Sequence, residues 1–101
     1  MRYTRTKIEI VCDILLFIKN EENGAKSTHI LYKANLSPDL LKKYLSMMKR
    51  DDLIRKIKKD NGIRYRITKK GLEFLKKLKA IDKMTHIIEV LPHNRVKLLT
   101  K

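Results

Sequence analysis

The side chains in this 101-residue sequence that could do chemistry are overwhelmingly cationic. Lys and Arg number 25 against 11 Asp and Glu, giving a formal net charge of +14 at pH 7. Between Lys42 and Lys79 fifteen basic residues stand with four acidic ones, a net +11, and the rest of the chain carries only +3. Ammonium and guanidinium groups gathered in this way build a local positive field, and the partners that field suits are polyanions. A chain that was basic only for solubility would spread its lysines evenly.

Other chemistry finds little support. Ser27 and His29 are near neighbours with Asp13 upstream, yet Ser27 reads as a helix cap and nothing beside it reads as an oxyanion site. There is no glycine-rich phosphate loop and no nucleophile motif, so no enzyme activity, catalytic residue or small-molecule substrate is expected. His29, His86 and His93 lack the spacing that puts two imidazoles on one helix face. The single Cys12 excludes an intramolecular disulfide or a multi-thiolate site, so no metal or other cofactor is expected. Cys12 falls on an apolar helix face, where packing explains it. The longest apolar run, Ile14 to Ile18, is far short of the ~20 residues that span a bilayer. The N-terminus Met1–Arg5 is basic, but Asp13 interrupts the apolar stretch that follows it and no small-residue cleavage site comes after, so the expected compartment is cytoplasmic and reducing.

The cations need a scaffold, and 43% apolar residues are enough for one folded domain. Ile8, Val11, Leu15 and Ile18 recur at helical spacing and predict helix 1 over residues 6–20, with Gly24 beyond its end. Ser27 is the expected cap of a short helix 2 reaching Ala34, where Ser27 and Thr28 could also meet a phosphate. Ser37-Pro38-Asp39 is a strong helix start: a hydroxyl cap, proline at the first position and a carboxylate at the positive end. Helix 3 is therefore placed over 38–50.

The periodicity then changes to two short segments, 53–58 and 63–67, divided by Asp60-Asn61-Gly62. They predict a hairpin. A turn at Asn61-Gly62 would set Ile57 opposite Arg66; the expected alternative is a three-residue loop with left-handed Gly62, setting Ile57 opposite Tyr65. One face would then hold Ile57, Ile63, Tyr65 and Ile67, and the other Lys56, Lys58, Arg64 and Arg66. Thr68 should cap a last helix running to about Val90, ended by Pro92.

Three helices, a basic hairpin and a fourth helix are the order of a winged helix-turn-helix domain, mainly α with a small β-hairpin. With Leu41, Leu45 and Met48 inward, a step of about 100° per residue puts Asp39, Lys42, Lys43, Ser46 and Arg50 outward on helix 3. These, with Ser37 and the wing residues Lys56, Lys58, Lys59, Asn61, Arg64 and Arg66, form the expected surface for double-stranded DNA. The wing cations suit phosphates; Lys42, Lys43, Ser46 and Asp39 could meet base edges. The set lacks Asn or Gln on helix 3 and has only Arg50 as a guanine fork, which predicts modest sequence preference.

Ile14-Leu15, Ala34-Asn35-Leu36-Ser37, Lys43-Tyr44-Leu45, Leu53-Ile54 and Tyr65-Arg66-Ile67-Thr68-Lys69-Lys70-Gly71 stand in this order over about residues 5–80. In these motifs the sequence resembles the small archaeal winged helix-turn-helix proteins, which include predicted transcription regulators and dimeric chromatin-type DNA-binding proteins. The resemblance implies DNA binding, a cytoplasmic, nucleoid-associated location and a homodimer joined through antiparallel last helices. Such domains usually carry Gly before the Leu-Ile of the first wing strand; here Asp52 must take the left-handed turn.

The last helix has its own pattern. Phe74, Leu78, Ile81, Thr85 and Ile88 alternate steps of four and three, with Leu75, Met84 and Leu91 at the margins, as in a coiled-coil seam. At ~1.5 Å per residue the helix exceeds ~30 Å, longer than its own domain needs, so Phe74, Leu78, Ile81, Met84, Thr85, Ile88 and Leu91 are the expected dimer interface. The alternative assigns that stripe to the chain's own core. The expected organisation is a DNA-binding unit over 1–70, a dimerisation helix over 71–91 and a tail over 92–101. The competing function is a winged-helix module that docks on protein or RNA without reading duplex DNA.

Overall fold

The computed structural model describes the backbone of residues 5–59 and 62–85 and the side chains up to Ile81. Its elements run α1 (Lys7–Lys19), α2 (Ser27–Ala34), α3 (Pro38–Arg50), β1 (Ile54–Lys59), β2 (Gly62–Ile67) and α4 (Lys69–Thr85). This is the expected winged-helix order; residues 86–101, including the expected end of the last helix near Val90, lie outside the described residues.

Helix α1 is the centre of the core. Its start is fixed by a reciprocal cap, in which the Thr6 hydroxyl accepts from the Glu9 N–H and the Glu9 carboxylate accepts from the Thr6 N–H. Ile10, Val11, Ile14, Leu15 and Ile18 are buried, together with Ile30 and Ala34 of α2, Leu41, Tyr44, Leu45 and Met48 of α3, and Leu75 of α4. Cys12 is half-buried and packs on the edge of this cluster. No polar or charged residue is buried among the described residues, so apolar burial is what holds the helices together.

Helix α2 begins differently from the expectation. Lys26 occupies the cap position, no side chain caps the helix, and Ser27 is already helical. The cause is a long-range pairing: Ala25 is held extended by two backbone bonds with Tyr65, each 2.9 Å, which brings the helix start one residue forward.

The hairpin register also differs. Lys59 pairs with Gly62, Ile57 with Arg64, Lys56 with Tyr65 and Ile54 with Ile67, so two residues connect the strands and Tyr65 does not face Ile57. The reason lies at the base of the ribbon. Burying Ile54, which is 2% exposed, beside Tyr65 and Ile67 outweighs burying Ile57, which is only half-buried. A shift of one residue would turn Ile54 outward. Gly62 does take a positive φ, +115°, as the first residue of β2.

Two left-handed residues end the helices that flank the turn. Asn35 (φ 53°) closes α2, and Asp52 (φ 60°) closes α3 as anticipated, with the Leu53 N–H donating to the Met48 carbonyl at 2.8 Å. At the other end of the ribbon the Thr68 hydroxyl accepts from the Gly71 N–H at 2.9 Å, the expected cap of α4. Gly71 sits against the wing: a Cβ there would lie 2.2 Å from the Leu53 carbonyl oxygen. Gly71→Ala is therefore expected to force the helix from the ribbon and destabilise the fold by about 1–3 kcal/mol, read as a lower urea midpoint.

Candidate nucleic-acid interface

Helix α3 begins where the sequence indicated. The Ser37 hydroxyl accepts from the Leu40 N–H at 3.2 Å, Pro38 takes the first turn and Asp39 lies at the positive helix end. Leu41, Tyr44, Leu45 and Met48 face the core; Asp39, Lys42, Lys43, Ser46, Lys49 and Arg50 are exposed. Sequence reasoning omitted Lys49, which extends the cationic face, and Tyr44, which widens the buried one. Among the described residues, Lys42, Lys43 and Lys49 take part in no ion pair, while Arg50 Nε reaches Asp51 at 3.3 Å. That exposed pair is worth little, but it competes for the only guanidinium on the helix.

The position of α3 depends on a residue the sequence reading passed over. Arg5 lies before α1, pairs with Asp13 at 2.6 Å and donates to the carbonyls of Ala34 and Asn35. It thus ties α1 to the end of α2, from which the turn into α3 departs. A lone arginine ahead of a helix gives no pattern from which this long-range bond could be read.

The ribbon does not present all its cations on one side. In the observed register Lys56 and Lys58 share a face with Ile54, Ile63, Tyr65 and Ile67, whereas Arg55, Lys59, Arg64 and Arg66 share the other with Ile57. The expected grouping of Lys56 and Lys58 with Arg64 and Arg66 is thereby corrected. Helix α3 packs against β1, and Ile54 lies in the same core cluster as Met48, so Lys56 and Lys58 continue outward from the α3 side of the ribbon. Arg64 is half-buried and donates to the Gly24 carbonyl at 3.1 Å. That bond anchors the ribbon to the loop before α2. Lys59 and Arg66 are exposed, and Asn61 lies outside the described residues. Burial pushes the Tyr65 phenol above its ordinary range, which keeps it neutral in the core face.

On α4, Leu75 is the deeply buried side chain, and Phe74 is half-buried on the edge of the core. Leu78 is half-buried, and Ile81 is 55% exposed. The side chains of Met84, Thr85, Ile88 and Leu91 lie outside the described residues. Among the described residues no group of His, Cys, Asp or Glu is placed to hold a metal ion, and no helix is long and apolar enough to cross a membrane.

A turn-joined pair of short helices, α2 and α3, followed by a ribbon bolted to a fourth helix, defines the winged helix-turn-helix class. Residues 4–86 match the winged helix-turn-helix family model, and the chain belongs to that family. Over 82 residues, 81% of this chain, it is 33% identical to the uncharacterized protein MJ0290 of Methanocaldococcus jannaschii, of whose length the match spans 36%. The fold is similar to that of Sso10a-2, a DNA-binding protein from Sulfolobus solfataricus (TM-score 0.71, 24% identity, 83% of this chain and 85% of that one). It is also similar to the PcaV transcriptional regulator of Streptomyces coelicolor (TM-score 0.69, 16% identity, 92% of this chain and 67% of that one).

The geometry separates cations that hold the fold from cations that only face solvent. Arg64→Ala should cost about 0.5–1.5 kcal/mol of stability through the lost bond to Gly24. Lys43→Ala should stay within about 0.5 kcal/mol of the parent protein. Urea denaturation of the two variants side by side checks this.

Proposed function

We propose that this chain binds double-stranded DNA, with α3 in the major groove and the ribbon along the backbone. The observation that carries the reading is the unpaired, exposed row Lys42, Lys43 and Lys49 on α3, continued by Lys56 and Lys58 on the adjoining side of β1. Lysines of this kind displace counterions from phosphates and supply affinity that falls with salt. Ser37, Asp39, Ser46 and Arg50 lie on the same exposed part of α3, where base edges would be met. Lys59, Arg64 and Arg66 have a lesser share in this reading, because they lie on the ribbon's other face and Arg64 is engaged with Gly24.

The sparse inventory of base-reading side chains favours an architectural chromatin role or a regulator of modest selectivity over stringent recognition. The DNA-binding Sso10a-2 and the regulator PcaV, both similar in fold, support that range of roles. On this reading the protein resides with the nucleoid in the cytoplasm and acts without enzymatic chemistry. A homodimer through α4 is part of the proposal: beyond Leu75 the helix offers half-buried Leu78 and 55%-exposed Ile81 on the stripe that continues in sequence to Met84, Thr85, Ile88 and Leu91.

Titration of fluorescent random-sequence duplex should give an affinity that drops steeply between low and physiological salt. The double substitution Lys42→Glu with Lys43→Glu should weaken it by about a hundredfold or more. A double variant that binds duplex as the parent does would overturn the DNA reading in favour of a protein- or RNA-docking module. For the dimer, Ile81→Asp should shift the sedimenting species toward monomer, by about tenfold in dissociation constant or more. An unchanged mass would return the stripe to the chain's own core.

A further inference from the structure

We propose that the concavity between the outer face of the ribbon and the start of α4 is a binding site for a small organic phosphate, a phosphomonoester with an apolar group. It is about 440 Å³ in volume and is lined by Arg55, Ile57, Arg66, Ile67, Thr68 and Lys69. This inference rests on the fold and not on the DNA reading.

The strongest observation is the pairing of Arg55 directly opposite Arg66. Residues opposed across an antiparallel ladder have side chains a few ångströms apart on one face, and two like charges there repel. Nothing in the lining relieves the repulsion: it contains no acidic residue, and among the described residues neither arginine takes part in an ion pair. Lys69 adds a third cation. A dianionic phosphate between the two guanidinium groups turns that repulsion into attraction, because each planar fork can donate two parallel hydrogen bonds to a pair of phosphate oxygens. Thr68 contributes shape but not its hydroxyl hydrogen, which is committed to the carbonyls of Asp52 and Leu53.

The floor decides what else the ligand carries. Ile57, on the same ribbon face as the two arginines, and Ile67, at the end of β2, are both half-buried and line the concavity beside the three cations. A bare inorganic ion would leave their apolar surface wet, whereas an aromatic or aliphatic ester would cover it. The volume is in the ordinary range for small-molecule sites and well above what one phosphate fills. The shared chemistry is the phosphate oxyanion, which a DNA backbone also offers, so the test must tell the two sources apart.

The experiment is a titration of the full-length protein, followed by amide chemical shifts at constant ionic strength, with phenyl phosphate and separately with inorganic phosphate. Saturable shifts are expected at Arg55, Ile57 and Arg66–Lys69, with phenyl phosphate bound at least about tenfold more tightly than inorganic phosphate. Arg55→Ala should weaken phenyl phosphate by about tenfold or more while the rest of the spectrum shows the fold intact, and Arg55→Lys should recover only part of the loss. A second arm adds a short duplex. On the proposal, the duplex shifts the α3 amides and leaves phenyl phosphate in place. Shifts that never saturate, or that spread evenly over all the lysines, would overturn the site. Displacement of phenyl phosphate by duplex would do the same and make the concavity a backbone contact, and loss of duplex binding at α3 with the concavity still occupied would sink only the DNA reading.

Discussion

The junction of α3, the ribbon and α4, on which the cationic surfaces are mounted, is built on the backbone of Leu53. Its N–H donates to the Met48 carbonyl and closes α3; its carbonyl accepts from both the N–H and the hydroxyl of Thr68, at 3.0 and 3.1 Å, and so joins the two ends of the ribbon. Gly71 adds the third member, since only a residue without Cβ lets α4 lie on that same carbonyl. A helix end, a hairpin base and a helix start thus meet at one residue, whose N–H and C=O both find backbone partners there. The angle between α3 and the wing is set by short main-chain bonds and by the buried Leu53 and Ile54 side chains. Long surface side chains are not needed for it, which leaves lysines on the outside available for a partner.

What could be read from the sequence follows the range of the interaction responsible. Ser37-Pro38-Asp39 starts α3, Asp52 takes the left-handed turn and Thr68 caps α4, as expected, because each depends on residues within three or four positions. The winged-helix order was legible for the same reason, from one change of hydrophobic period after Arg50. The hairpin register was not. It is decided by the burial of Ile54 and by the bridge from Ala25 to Tyr65, forty positions apart, and the turn residues alone did not rank these against the alternation of Ile57 with Ile63 and Tyr65. The same bridge displaced the expected cap at Ser27.

The candidate site was legible in part for a related reason. Outward positions on α3 follow from helical geometry once Leu41, Leu45 and Met48 face inward, and all five outward residues expected there are exposed. On the ribbon a one-residue error in register changes which cations are neighbours, and with it the function each can have. Arg64 became an anchor, Lys56 and Lys58 joined the α3 side, and Arg55, absent from the expected surface, came to face Arg66. Arg5 gave no pattern to read, because the carbonyls it ties to α1 are about thirty positions away.

This partition bears on how the molecule tolerates its charge. With a net +11 between Lys42 and Lys79, self-repulsion opposes folding, and among the described residues of that stretch the exposed Arg50–Asp51 contact is the one ion pair that offsets it. The core compensates by burying no charged residue among the described residues, so no desolvated charge adds to the electrostatic cost. Dividing the ribbon's cations between two faces lowers the repulsion within each, since charges separated by the sheet and by solvent interact weakly at physiological salt. Where that relief fails, at Arg55 opposite Arg66, the repulsion is concentrated beside Ile57 in one concavity instead of being spread along a solvated helix. A row of lysines on a helix suits an extended polyanion that can slide; two opposed arginines lining a concavity suit a compact one that fits.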